Sequence, residues 1–474
     1  SNQNSRMVLA MDDSPVSQEV FCDEGPTEDA LRNSGVMVAL QFPVLRGGEL
    51  LHWQAMVNVT ANLLGVATLA LPYAMAEAGF IFSCIALLVA VKASYSTWKM
   101  LVELSAFDGI AGRISYPEIG RRVLGVEGHL AVLVAYVLYS GGLLVCQLCA
   151  LSDVLLIFLP DWQGWTLWLA IALASPGVLW PKAPAGQLIS VSCIGAAVAL
   201  AVSLLMVSAD LGAQAGPSLS EGFKGPSFTG LLSSFAIFLA QFSVQSSFEV
   251  TTAIGDLEED FGGVLVNFAN AFIFALGTSL ALAMAGYVHF GSNVQCNVLL
   301  SWTAVESPLA TLQWLRVTEA VYILSLVVGA SLSSRPCVAS IQEILGGSRR
   351  GFTGPGHSPQ KALPVLLGCG VISWLQGMSS GLGSSLKWLG AFGASPLVLL
   401  LPPLFYVEMA RRQGGRSLVS PENATSMIPL ALGLLLTIGT FFEIVTSSMS
   451  SPLGHRGDRT VTSSLTNITA SRWR

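Results

Sequence analysis

An apolar stretch at residues 52–74 carries polar and small residues whose chemistry is that of solute binding. The stretch reads HWQAMVNVTANLLGVATLALPYA, and the residues that interrupt it are Asn58, Thr60, Asn62, Gly65 and Thr68. At bilayer depth such residues are tolerated where they are buried in protein or line a cavity, and Gly65 is a position at which a helix can break. We therefore predict that this stretch forms the first half of a solute site.

A second apolar stretch, FAIFLAQFSVQSSFEVTTAIG at residues 235–255, has the same character. The residues predicted to face the solute or its coupling ion here are Gln245, Ser246, Glu249 and Thr252. Two interrupted membrane segments in corresponding positions indicate an inverted repeat, with a binding site at mid-membrane between unwound helices. The second stretch is therefore predicted to supply the other half of the site.

Composition shows what must position these residues. Of the 474 residues, 52% are hydrophobic and 11% are charged, whereas soluble domains carry about 25% charged residues. A helix crosses a bilayer with about 20 apolar residues, a rule that predicts about eleven spans in an all-α polytopic membrane protein. The predicted spans are 53–75, 80–104, 130–159, 164–180, 187–209, 230–254, 264–289, 311–334, 362–381, 387–407 and 427–447. Spans one to five and six to ten would form the two repeats, with broken helices one and six, and span eleven is an addition.

Basic residues predict the orientation, because short cytoplasmic loops are enriched in lysine and arginine. With a cytoplasmic N-terminus, the inner loops hold Arg113, Arg121, Arg122, Lys182, Arg335, Arg349, Arg350, Lys361, Arg411, Arg412 and Arg416. Residues 1–50 are acidic and polar, typical of a disordered cytoplasmic tail. Residues 51–447 form the transporter domain, and residues 448–474 form a lumenal or extracellular tail. In this tail, Asn467-Ile468-Thr469 is a candidate glycosylation site. The sequence is compatible with a location in the plasma membrane or in a vacuolar or vesicular membrane.

Four short motifs, taken in order, resemble those of the amino acid/auxin permease family. Trp53 to Ala74 is most similar to the vesicular inhibitory amino acid transporter branch of that family. The other motifs are Ser115-Tyr116-Pro117-Glu118-Ile119-Gly120, Gly286-Tyr287-Val288-His289-Phe290-Gly291 and Leu401-Pro402-Pro403-Leu404-Phe405-Tyr406. The resemblance implies eleven spans, a cytoplasmic N-terminus, a five-plus-five inverted repeat and secondary transport of amino acids. Glu249 and Thr252 depart from that pattern, which leaves the substrate open.

A neutral amino acid brings a carboxylate and an ammonium into a low dielectric, where an unpaired charge is costly. An unwound helix offers partners for both. N–H groups after Gly65 can bind the carboxylate with help from the helix dipole, and carbonyls near Asn58 to Asn62 can accept from the ammonium. The alternative is that Asn58 and Asn62 only bond neighbouring helices. Apart from the bilayer and the substrate, no nucleic-acid partner, cofactor or metal is expected.

Glu249 is the candidate for proton coupling, because desolvation raises the pKa of a carboxylate inside a span. It could instead contact the substrate ammonium, or serve as a structural acid bonded to Gln245 or Ser246. Sodium is the alternative coupling ion. Hydroxyls of Ser333 and Ser334 at the end of span eight could bind it, although serines near a helix end often bond the preceding turn. Glu319 is expected to pair with Arg316, three residues earlier.

Two functions of different classes fit these residues. The first is a proton-coupled secondary active transporter of neutral amino acids that works by alternating access. The second is an amino acid sensor or signalling scaffold on a transporter fold, whose acidic tail contacts cytosolic partners. The sequence contains no GxSxG, HExxH or P-loop pattern, so an enzyme is not expected.

Overall fold

The structure is a computed structural model that describes residues 52–106, 115–162, 165–179, 227–245, 248, 261–303, 309–345, 359–379, 381–414 and 421–450. These residues are almost entirely helical, and none of them lies in a β-strand. The predicted all-α class is therefore confirmed. The predicted fifth span, 187–209, and both tails lie outside the described residues.

Fourteen α-helices are described, and we number them in chain order. They are α1 (His52–Leu63), α2 (Leu71–Ala78), α3 (Phe80–Ala106), α4 (Tyr116–Leu124), α5 (Val126–Phe158), α6 (Thr166–Leu179), α7 (Phe228–Gln241), α8 (Phe261–Phe290), α9 (Val298–Thr303), α10 (Leu309–Ile344), α11 (Pro359–Ser379), α12 (Gly381–Trp388), α13 (Leu401–Gly414) and α14 (Pro421–Ser450). A 3₁₀ segment at Val66–Ala70 joins α1 to α2, and a π-helix at Leu389–Leu400 joins α12 to α13.

Within the part of the chain that the structure describes, five helical segments are long and apolar enough to cross a bilayer. They are Val59–Ala78, Phe80–Ser105, Val126–Phe158, Gly262–Asn293 and Gly381–Arg412. Shorter apolar helices lie at Thr166–Pro176, Phe228–Gln241, Leu363–Leu375 and Met427–Glu443. These nine segments overlap nine of the predicted spans. The largest differences are in the sixth span, where α7 ends at Gln241, thirteen residues before the predicted end, and in the eighth, whose helix α10 continues to Ile344, ten residues beyond the predicted end.

Helix α5 lies at the centre of the bundle, packed against α4, α6, α10, α11 and the π-helix. Glycines allow the closest of the helix crossings, as is common where lipid provides no hydrophobic driving force between helices. A Cβ at Gly390 of the π-helix would overlap the carbonyl of Ala236 on α7. A Cβ at Gly286 of α8 would overlap the ring of Pro72 on α2. The first contact joins the tenth span to the sixth, and the second joins the seventh span to the second half of the broken first span.

The short motifs of the sequence meet in pairs. Pro72 of the first motif packs on Gly286 of the third. The hydroxyl of Tyr116, in the second motif, donates to the carbonyl of Leu397 at 3.0 Å, and its ring lies edge-on to that of Phe405 in the fourth, with centroids 6.2 Å apart. The motifs are far apart in the sequence, but their residues form tertiary contacts between helices.

Candidate functional site

The first span is broken at the position that the sequence predicts. Helix α1 ends at Leu63, and Gly65 has an extended backbone (φ −77°, ψ −159°) that starts the 3₁₀ segment. The amide of Thr68 donates to the carbonyl of Gly65 at 3.1 Å. The first N–H groups of a helix have no partner within it, so the break presents donors directly after Gly65.

One side chain of the sixth span bridges this break. The Nε2 atom of Gln241, at the end of α7, donates to the carbonyl of Leu63 and to the hydroxyl oxygen of Thr68, the latter at 2.8 Å. Its Oε1 atom is buried and has no hydrogen-bond partner among the described residues. The end of the sixth span therefore lies against the break in the first, with an acceptor oxygen unused.

The sixth span is also broken, because α7 ends at Gln241 and residues 242–245 are not α-helical. Hydroxyl groups of two other helices bind the carbonyls that this break exposes. The donors are Ser94 to Phe242, Tyr139 to Ser243 at 3.3 Å and Tyr136 to Gln245 at 3.4 Å. Helices α3 and α5 thus stabilise the second break.

The side chain of Gln245 points to α3. Its Nε2 atom donates to the carbonyl of Ser94 at 3.1 Å and to the hydroxyl oxygen of Thr97 at 3.0 Å. The Oε1 atom is buried without a hydrogen-bond partner in the described part of the chain. The amide nitrogen of this predicted substrate residue therefore has a structural use, and its oxygen is available to a ligand.

The other predicted residues of the first span take different positions. Thr60 is buried, and its hydroxyl donates to the carbonyl of Met56 at 2.8 Å, a bond within α1. Asn58 lies on α1, and Asn62 is exposed at its end. Thr68 is fully buried beside Gln241. Of the first-span set, Thr68 is the residue whose side chain bonds the sixth span, and Gly65 lies in the same break.

Several predicted residues lie outside the described residues. They are Ser246, Glu249, Thr252 and Asn467. Ser333 and Ser334 are buried on α10, 7% and 1% exposed, and that helix packs chiefly against α5, α6 and α11. The ion pair expected on the same helix is present, since Arg316 Nη1 lies 3.1 Å from the fully buried Glu319.

A cluster of polar and charged groups lies beyond the first break, where α2 ends. Glu77 accepts a hydrogen bond from the hydroxyl of Tyr73 and pairs with Lys387 of α12 at 2.8 Å. The Lys387 ammonium also lies 5.5 Å from the centre of the Tyr73 ring, a cation–π contact. Both members of the ion pair are about one-fifth exposed. The cluster therefore connects α2, the second half of the first span, to the start of the tenth.

Sequence reasoning missed the residues that connect the breaks. Gln241 was visible as a polar residue of the sixth span but was assigned no role, and Ser94, Tyr136 and Tyr139 were not singled out. One usable signal existed: Ser94 and Thr97 are spaced three apart, which places both hydroxyls on one face of α3. The tyrosines of α5 gave no such signal.

Comparison with known proteins shows the family to which the chain belongs. The family model described as transmembrane amino acid transporter protein matches residues 50–446, which is most of the chain. The chain belongs to the transmembrane amino acid transporter family. It is therefore an integral membrane transporter, and the family resemblance seen in the motifs is confirmed. The comparison with curated proteins gives no match.

Two kinds of solved structure share the fold of this family member. Mhp1, a nucleobase-cation-symport-1 family transporter in a closed conformation with bromovinylhydantoin bound, has a TM-score of 0.53 at 14% identity, covering 86% of this chain and 96% of its own. A mutant manganese transporter from Eremococcus coleocola has a TM-score of 0.51 at 12% identity, covering 92% of this chain and 96% of its own. At these identities the likeness concerns the fold alone, and it is the fold of helical transporters.

Proposed function

We propose that the chain is a secondary active transporter of neutral amino acids that binds its substrate between the two breaks and works by alternating access. The observation that carries the proposal is the contact of Gln241 with the break at Gly65. It brings the ends of two interrupted spans together, which is the arrangement expected of a substrate site in an inverted-repeat transporter. The N-terminus is proposed to be cytoplasmic.

The backbone after Gly65 is proposed to bind the substrate carboxylate. The residues on either side of both breaks, 58–74 and 241–255, include no lysine or arginine. Unpaired N–H groups at a helix start are the donors that such a stretch can offer to an anion. Binding by these groups requires no charged partner, which favours neutral amino acids over acidic ones.

The side-chain oxygens of Gln241 and Gln245 are proposed to accept from the substrate ammonium. Both Oε1 atoms are buried and have no hydrogen-bond partner among the described residues. A buried acceptor left without a donor costs about 1–3 kcal/mol. A substrate ammonium would remove that cost, because it carries several donors and a positive charge. Ser246 and Thr252 stay candidate contacts.

Proton coupling is proposed to use Glu249, and sodium coupling through Ser333 and Ser334 is the alternative. A proton-coupled cycle needs a carboxylate that is protonated on one side of the membrane and ionised on the other. Glu319, a described acid of the eighth span, is already paired with Arg316. Glu249 therefore remains the acid of the sixth span to be tested.

The cluster of Tyr73, Glu77 and Lys387 is proposed to close the outer side of the site in this conformation. It lies on α2 and α12, one helix from each proposed repeat, so separating the repeats on that side must break the 2.8 Å ion pair. A pair of this kind, partly exposed, is weak enough to open and re-form.

Transport by purified protein in liposomes tests the function. A panel of labelled amino acids is offered with pH and sodium gradients imposed separately. We expect accumulation of one or more neutral amino acids against their gradient, driven by the pH gradient. Binding without accumulation would favour the sensor, and accumulation driven by sodium alone would favour the serine site.

Glu249→Gln tests the coupling in the same liposomes, with Glu319→Gln as the matched control from a paired acid. We expect Glu249→Gln to lose the stimulation by an imposed pH gradient while substrate exchange continues. Full retention of that stimulation would show that Glu249 does not carry the proton, and would leave the proposed substrate site intact.

A further inference from the structure

A groove of about 830 Å³ lies on the outside of the bundle, between α3, α13 and α14. The groove is distinct from the proposed substrate site, because it is open on its outer side. Three of its apolar residues, Ile85, Leu88 and Ile428, are 53%, 55% and 69% exposed. In a membrane-spanning chain, a groove of this kind faces lipid.

The side of the groove formed by α3 is divided along its length. Ile85, Leu88 and Val89 line the half nearer Phe80, whereas Lys92, Ser96, Lys99 and Glu103 line the half nearer Ala106. Spacings of three and four residues place all of them on one face of the helix. The α3 side of the groove is therefore apolar towards one end and carries the charged residues towards the other.

Lys92 is the residue that needs an explanation. It is exposed in the middle of a membrane-spanning helix, twelve residues after Phe80, or about 18 Å along the axis. Charged residues inside spans usually face the bundle interior and find a partner there. Lys99 has such a partner in Glu103 at 3.6 Å, but among the described residues no carboxylate pairs with Lys92.

The chemistry of the groove determines what would fill it. Two lysines and one glutamate line it, which leaves an excess of positive charge, and its apolar half matches a hydrocarbon chain. A soluble anion would use the lysines but not the apolar half, and a hydrophobic helix from another protein would use the apolar half but not Lys92. A molecule with an anionic head and an acyl tail satisfies both.

We propose that the groove between α3, α13 and α14 binds an anionic phospholipid, with its phosphate at Lys92 and Lys99 and an acyl chain along Ile85 and Leu88. The headgroup enters from the membrane surface at which α3 ends. The predicted orientation makes that surface cytoplasmic, the side on which anionic lipids are concentrated. The site is separate from the substrate site and does not depend on which solute is transported.

Native mass spectrometry of the full chain, released from detergent with phosphatidylglycerol or phosphatidylcholine titrated in, tests the proposal. We expect the wild type to bind one phosphatidylglycerol more tightly than phosphatidylcholine. Lys92→Gln should weaken phosphatidylglycerol binding about fivefold, which corresponds to roughly 1 kcal/mol for one lysine that attracts an anionic lipid. Lys92→Arg keeps the charge and should bind as the wild type does, which separates charge from folding.

Two further variants separate a lipid groove from general surface charge. Arg411→Gln removes an exposed charge that pairs with Glu408 and lies outside the groove, so it should leave lipid binding unchanged. Leu88→Trp fills the apolar half and should weaken binding without changing the charge; Leu88 is exposed, so the bundle should tolerate the larger side chain.

The proposal is overturned if phosphatidylcholine binds as tightly as phosphatidylglycerol, or if Arg411→Gln weakens binding as much as Lys92→Gln. It is also overturned if Leu88→Trp has no effect, or if glycerol phosphate at equal concentration displaces the lipid. Those last two results would mean that the lysines bind a free anion rather than a lipid.

Discussion

The two helix breaks are stabilised in different ways. At the first break, the extended backbone of Gly65 ends α1, and the side chain of Gln241 crosses from α7 to bond it. At the second, hydroxyls of Ser94, Tyr136 and Tyr139, on two supporting helices, donate to three carbonyls between residues 242 and 245. The first break is therefore held by a single side-chain amide, and the second by hydroxyl groups of the helices around it.

This difference indicates a division of roles. A substrate can exchange places with one amide contact more easily than with three hydroxyls held on two helices. The first break is therefore the part of the site that we expect to respond to substrate, and the second is the part that we expect to stay fixed. Each prediction below tests this contrast.

The largest effect is expected at Gly65. A Cβ there would lie 3.3 Å from the carbonyl of Asn62, so a larger side chain must move the end of α1. Gly65→Leu should lower transport about 100-fold, the cost of a misplacement of roughly 1 Å at a reacting or binding centre, and Gly65→Ala should lower it less. Uptake into liposomes measures both. Gly277→Ala, where a Cβ meets nothing within 4 Å, is the control, and equal activity of Gly65→Leu and this control would contradict the prediction.

Gln241→Leu should give the next largest effect. It leaves the carbonyl of Leu63 without this donor and removes an acceptor from the proposed ammonium site. We expect a loss of about 1–3 kcal/mol in stability, measured by thermal unfolding in detergent, together with weaker substrate binding. Gln241→Glu keeps the acceptor oxygens but loses the amide donor. If the contrast is correct, Gln241→Glu binds substrate more tightly than Gln241→Leu; if the two bind alike, the oxygen of Gln241 has no role.

Tyr139→Phe should have a smaller effect, and one on stability only. It removes a single hydroxyl that donates to Ser243 at the second break, which costs about 1 kcal/mol. The unfolding temperature should fall while the KM for substrate stays near the wild-type value. A tenfold rise in KM without a change in stability would show instead that the second break responds to substrate.

The smallest effect is expected at the ion pairs of Glu118 on α4, whose partners are Arg121 and Arg122 of the same helix. Burial alone would raise the pKa of this carboxyl, but hydrogen bonds and charge from Arg121 and Arg122 outweigh burial and lower the pKa. A lowered pKa in the folded state stabilises the protein above the ordinary glutamate pKa of about 4.3, and this stabilisation is lost as the pH falls through the folded-state pKa. Unfolding temperatures of wild type and Glu118→Gln should therefore differ at neutral pH and converge below pH ~4, with transport unchanged.

The sequence was sufficient for features that depend on local pattern. Apolar runs gave the helices, and a glycine among polar residues in an apolar run gave the break at Gly65. The short motifs gave the family, although their mutual contacts, such as Pro72 on Gly286, appear only in three dimensions.

Features that depend on distant partners were not visible in the sequence. Gln241 and Leu63 are 178 positions apart, and no periodicity marks one polar residue of α7 as the one that reaches α1. The π-helix at Leu389–Leu400 contains Pro396, but a proline in an apolar run predicts a kink or the end of a helix, not a π-helix. Lys92 is a basic residue inside a predicted span, and the groove that gives it a candidate ligand is not visible in the sequence.

The contact of Gly390 with the carbonyl of Ala236 has a mechanical consequence. Atoms this close cannot slide past each other without a steric clash, so α7 and the π-helix are expected to keep their register when the transporter changes state. Helix α7 has a second close crossing with α2, because a Cβ at Gly230 would lie 2.7 Å from the carbonyl oxygen of Glu77. The helices that meet at these glycines are therefore expected to move in the transport cycle by tilting about the contacts rather than by sliding along them.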